Sequence, residues 1–158
     1  MNKLPMFIVF LMSFVTANAQ NIMLNEVTEK YEMVVDVAAK SNNQNENFDN
    51  VEEWLVTNYT NKYSSSKLSN KEKGKIIYSA AFETKIFPSK GLISFNYTVK
   101  VEKNKINFYI TDFAYTIIGQ TLSAGVAMNF ESKGFAGKKK VIKETETKIL
   151  EALSKLKL

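Results

Sequence analysis

The stretch "LISFNYTVKVEKNKINFYITDFAY", Leu92 to Tyr115, decides the architecture of this chain. Two runs of β-branched and aromatic residues alternate with polar ones, and Lys103-Asn104 between them fits a two-residue hairpin loop, because Asn tolerates positive φ. That loop opposes Val101 to Ile106, Val99 to Phe108, Tyr97 to Ile110 and Phe95 to Asp112, so one face is apolar. The alternates pair Lys100 with Asn107, Thr98 with Tyr109, Asn96 with Thr111 and Ser94 with Phe113, a face that is polar, small and partly aromatic. One buried and one solvated face indicate an antiparallel sheet. A two-residue slip would preserve both faces, so the pattern fixes sidedness more firmly than register.

Working outward, "KIIYSAAFETKI" predicts a further strand turned by "FPSKG", and "YSSSKLSNKEKG" before it a short strand and a turn closed by Gly74. "KYEMVVDVAAK", Lys30 to Lys40, predicts the first strand. "SNNQNENFDN" follows as a polar loop and helix start, with Asn47 or Asp49 placed to cap free N–H groups. Phe48, Val51, Leu55 and Tyr59, with Trp54 and Asn58 beside them, then form one face of a helix ending near Lys62. From about Lys139, Ile142, Thr145, Ile149, Ala152 and Leu156, widened by Leu153, form the stripe of a second amphipathic helix. Residues 116–137 hold no period and are expected to be an irregular excursion, a candidate lid or contact loop.

These features together resemble an exported bacterial domain of unknown function with a TBP-like fold, named after the TATA-binding protein. The residues that carry the resemblance are "YEMVVDVAAKS", the tryptophan-bearing "NVEEWLVTNY", "NKEKGKIIYSA" and "ISFNYTVKVEKNKINFYITDF", about Val27 to Tyr115. The resemblance implies an α+β fold, a curved antiparallel sheet with two helices on one face in the order strand, helix, four strands, helix. It transfers no active site. With the helices on one side, Phe95, Tyr97, Val99, Val101, Ile106, Phe108 and Ile110 are expected to meet Trp54, Leu55, Ile149 and Leu153 in the core, and Trp54 to be structural rather than part of a ligand box.

The N-terminus carries Lys3, the apolar run Phe7 to Val15 and then Ala17-Asn18-Ala19, small residues where a signal peptidase reads them. The run is too short to span a bilayer. Residues 1–19 are therefore expected to be a signal peptide and 20–158 a single exported domain, periplasmic or extracellular, with no transmembrane segment after cleavage. Composition excludes much chemistry. Cys and His are both absent, so Ser-His and Cys-His nucleophile pairs are impossible and zinc would have only carboxylates. Every basic residue is Lys, which offers no bidentate fork for bases, and removal of Lys3 lowers the net charge of +5 to +4. No nucleic acid, cofactor or metal is expected. "SKGFAGKKKV", Ser132 to Val141, fails as a phosphate loop because Ser132 stands where its first glycine should be and Lys139 where its hydroxyl should be.

The expected function is a non-enzymatic module binding a protein, peptide or glycan of the cell envelope, through the open sheet face or the glycine-rich excursion. Asn96, Thr98, Tyr109 and Thr111 are the candidate binding residues, with Tyr109 as anchor. The alternative is a carboxylate-dependent hydrolase acting on envelope polymers, the two-carboxylate design being what survives without His and Cys. Glu52 and Glu53 do not face each other on a helix and read as solvated charges. Asp112, an acid on the apolar face, is expected to cap a loop or reach solvent rather than serve as a catalyst.

Overall fold

A computed structural model describes residues 17–19, 21–118 and 127–158. Its strands are β1 (Ala17–Ala19), β2 (Met23–Asn25), β3 (Lys30–Ala38), β4 (Ser65–Asn70), β5 (Lys75–Thr84), β6 (Gly91–Val101), β7 (Lys105–Ile117) and β8 (Met128–Asn129), with helices α1 (Gln44–Asn58) and α2 (Lys138–Leu153). The sheet runs β1-β3-β7-β6-β5-β4, every described pair being antiparallel, with β2 attached to β3 and β8 to β7. The fold is α+β, as expected. Both helices lie on one face. Their buried residues Phe48, Val51, Trp54, Leu55, Val141, Ile149 and Leu153 share one core with Tyr97, Val99, Phe108 and Ile110 from the sheet. Trp54 ties the helices together, its Nε1 donating to the Ala152 carbonyl at 2.8 Å while its ring meets Tyr97 and Phe108 edge-on.

The central hairpin has the expected register from Val101↔Ile106 to Asn96↔Thr111, and then shifts. Beyond the shift Ser94 pairs with Ala114 and Ile93 with Tyr115. The extra residue belongs to β7, and Asp112 takes it up with a φ of 57°. Such a bulge restarts the alternation, so the expected pairs Phe95–Asp112 and Ser94–Phe113 are both corrected. Asp112 turns to the open face and Phe113 enters the core. Neither Lys103 nor Asn104 has a positive φ, so the two-residue loop forms without the left-handed Asn the sequence suggests.

The caps differ as well. Asn43, not Asn47 or Asp49, caps α1, accepting from the Asn45 N–H at 3.0 Å. Asn47 is buried and donates to the carbonyls of Ser41, Glu102 and Lys103, which pins the helix start to the β6–β7 turn. Asp49 pairs with Lys71 at 2.6 Å. Helix α1 stops at Asn58 rather than near Lys62 because the next turn is drawn into the sheet. Tyr59 reaches the Tyr97 hydroxyl at 2.6 Å, and the Asn61 amide donates to the Ala81 carbonyl at 2.7 Å.

Within the 116–137 excursion, residues 119–126 lie outside the described part. The rest is anchored: Met128↔Tyr115 and Asn129↔Ala114 extend the sheet, while Phe130 and Phe135 are buried. Gly137 ends it with a φ of 78°, and a Cβ there would come within 2.6 Å of the Phe87 ring. Glycine is thus required both by the left-handed turn and by the close approach. It starts α2 at Lys138, within a residue of the expected position.

Candidate functional site

Strand alternation sends Asn96 and Thr98 of β6, and Tyr109 and Thr111 of β7, to the face the helices leave uncovered. The register sets Thr98 opposite Tyr109 and Asn96 opposite Thr111, so the four residues singled out from the sequence form one block. Tyr109 is exposed at 39%, and the other three are half-buried. Val34 of β3 flanks Tyr109 on the other side.

The structure adds residues that the hairpin alone did not reveal. Glu32 of β3 accepts a hydrogen bond from the Tyr109 hydroxyl. That bond, with some burial, pushes the phenol up to about 12, so Tyr109 is a neutral donor at ordinary pH with its ring held in one orientation. Asp112, delivered to this face by the bulge, accepts from Asn96 Nδ2 at 3.0 Å and from Lys30 Nζ at 3.1 Å. The Asn96 bond first, then Lys30, holds its carboxyl below the usual range against a partial desolvation that acts the other way. Ser79 of β5 donates to Asn96 Oδ1 at 2.7 Å, extending the network to a fourth strand. At the other end Asp36, beside Lys105 at 3.0 Å and Asn107, is likewise held ionised. Signals for Glu32 and Asp36 existed in "KYEMVVDVAAK", where acids alternate with buried apolar residues, but only strand order places them next to Tyr109.

The patch is therefore a rigid polar lattice around one half-exposed aromatic ring. Its carboxylates are ionised acceptors and its amides and hydroxyls can serve either role. Next to it, Thr28, Glu29, Lys30, Asp112, Phe113, Asn129 and Glu131 line a cleft of about 380 Å³. Glu131 is engaged there, accepting from the Tyr31 N–H at 2.9 Å. Glu52 and Glu53 stand on α1, on the opposite side of the molecule from this face. Among the described residues no group of acids is arranged to hold a metal ion, and no helix is long and apolar enough to cross a membrane.

Residues 31–116 match the family model described as a domain of unknown function (DUF4468) with TBP-like fold. The chain belongs to this family. The match runs from the second residue of β3 to the last but one of β7, including the whole four-residue block. Two crystal structures share the fold. A TBP-like protein from Parabacteroides distasonis superposes with a TM-score of 0.60 at 16% identity, over 81% of this chain and 95% of that one. A DUF4468 family protein from Bacteroides ovatus gives 0.58 at 13% identity, over 80% and 82%. At such identities the likeness concerns the fold alone. None of the curated proteins matches this chain.

Proposed function

We propose that this DUF4468 chain is an exported, non-enzymatic module that binds a protein, peptide or glycan of the cell envelope through its helix-free sheet face. The observation that carries the reading is Tyr109: a half-exposed ring, fixed by Glu32, at the centre of hydrogen-bonding side chains from four strands. An aromatic anchor with a polar surround is the arrangement that recognition surfaces use, since the ring supplies contact area at little entropic cost and the surround supplies specificity. Export rests on Lys3, the apolar run and Ala17-Asn18-Ala19.

Site-specific photo-crosslinking in the host tests both parts. A photoreactive side chain at Thr98 is expected to capture a discrete envelope component, and one at Val56, exposed on α1, is not. Equal capture from both positions, or none from Thr98, contradicts the reading.

A second reading, a carboxylate-dependent hydrolase acting on envelope polymers, draws on one observation: Glu29, Asp112 and Glu131 line the same cleft. Glycoside hydrolysis needs one carboxyl free to protonate the leaving group and a second to attack or activate water, and here Asp112 is taken up by Asn96 and Lys30 and Glu131 by the Tyr31 N–H. The binding reading is preferred on that ground.

A further inference from the structure

We propose that the outer edge of β3, residues 33–37, pairs with a second copy of this chain once the N-terminal segment is removed. The proposal rests on the reading that the chain is processed after Ala19, and its test separates the two. In the full chain that edge is filled by β1, with Ala17↔Val37, Asn18↔Asp36 and Ala19↔Val35. Every residue of β1 belongs to the segment that processing removes. The N-terminal strand that remains, β2, covers only Lys30 to Glu32.

The vacated edge keeps its shape, because Met33, Val35 and Val37 are locked into the core at 1%, 0% and 2% exposure. The Ala39 N–H bonds the Asn104 carbonyl and the Tyr31 N–H bonds Glu131, both on the β7 side of the strand. Alternation therefore turns the backbone groups of Val34, Asp36 and Ala38 outward, toward the position of β1. A row of unpaired backbone groups is a template for another strand, and natural sheets guard such rows with lysines, prolines or bulges. The far edge, β4, is guarded: it carries Lys67, a register shift between Ser66 and Leu68, and solvent-exposed residues along its length. "MVVDVA", Met33 to Ala38, has no such guard, and its one charge, Asp36, is paired with Lys105.

One open edge and one guarded edge make association stop at two copies. A two-fold axis through Val35 sets Val35 opposite its equivalent, Met33 opposite Val37 and Val34 opposite Asp36. Apolar positions then meet on the core face, and no like charges are opposed. The same edge of the sheet carries Met23, Leu24 and Val27, exposed at 63%, 49% and 92%, beside the strand a second copy would add.

Sedimentation velocity over a concentration series tests this on two chains, one beginning at Gln20 and one at Thr16, which keeps β1. Both retain every buried residue described, the first being Ile22. The Gln20 chain is expected to double in mass with concentration and the Thr16 chain to stay single. In the Gln20 background, Val34→Pro removes an outward N–H without touching β7 and is expected to restore the single copy with unchanged circular dichroism. A Gln20 chain that stays single overturns the proposal, as does a Thr16 chain that doubles equally. Should Val34→Pro fail to fold, amide exchange at Val34 and Asp36 of the Gln20 chain decides instead: protection that rises with concentration supports pairing, and constant exchange contradicts it. The N-terminus of the protein taken from its host addresses processing alone. A start at Met1 overturns the opening step, whatever the Gln20 chain does in solution.

Discussion

Phe113 lies nearly parallel to Phe130, ring centroids 5.3 Å apart and planes 18° from parallel, because Asp112 beside it adopts a φ of 57°. The bulge does two things at once. It turns Phe113 inward, where it seats the returning segment after residue 126, and it turns Asp112 outward into the polar lattice with Asn96 and Lys30.

Asp112→Ala should therefore destabilise by about 1–2 kcal/mol, since alanine lacks the short polar side chain that tolerates the left-handed region. Asp112→Gly should cost less than Asp112→Ala despite removing the same carboxylate. Urea unfolding of both variants checks the order; a glycine variant less stable than the alanine variant would show that the side-chain bonds, not the backbone, set the bulge.

The polar face and the hairpin pairs nearest the loop were legible in the sequence because alternation is strict from Asn96 to Thr111. The bulge was not. "TDFAY" breaks the count, setting Asp112 on the apolar face and Phe113 on the polar one, but the break alone does not name a bulge, and the fit of Phe113 against Phe95 and Phe130 selects the shifted phase. The cap at Asn43 was hidden for a related reason: "SNNQNENFDN" offers many capping side chains, and the choice depends on Asn47 being needed at the β6–β7 turn. Within the site, Asn96, Thr98, Tyr109 and Thr111 share one hairpin, so local pairing found them. Glu32 and Asp36 come from a strand some seventy positions away in the chain, and Ser79 from yet another, so strand order had to be known first.

Trp54→Phe keeps most of the ring contacts but leaves the Ala152 carbonyl without its donor. A loss of about 1–3 kcal/mol is expected from that unpaired buried group and the reduced packing. Trp54→Ala should cost about 3–5 kcal/mol. A Trp54→Phe variant as stable as the parent in chemical denaturation would remove the helix-to-helix bond from the account.

The aspartates and tyrosines set opposite pH limits. Asp36 and Asp112 have folded values below 3.8, so their contribution is present above that pH and is lost as pH falls through the lower folded values. Tyr109, at about 12, and the buried Tyr59 and Tyr97, raised chiefly by desolvation, favour the neutral phenol in the fold. Their contribution is complete below pH 10 and declines as pH rises above it. Melting temperature against pH should fall at both ends, and phenolate absorbance should lag behind that of free tyrosine. Tyrosines that all ionise near 10 while the circular dichroism stays native would contradict the buried Tyr59–Tyr97 pair.

Gly137→Ala tests the start of α2. A left-handed backbone and a Cβ 2.6 Å from Phe87 together predict a loss of about 2 kcal/mol or more. Combining it with Phe87→Ala should relieve the clash and leave only the backbone cost, so the two changes should be less than additive. Strict additivity would mean that the ring does not set the space at Gly137.

The central claim, that the open face binds through Tyr109, is tested most directly by Tyr109→Ala. The ring lies outside the core, so the melting temperature should change little, while binding of the envelope component captured at Thr98 should weaken by about 1–3 kcal/mol. Unchanged binding in a variant that melts like the parent would contradict the account.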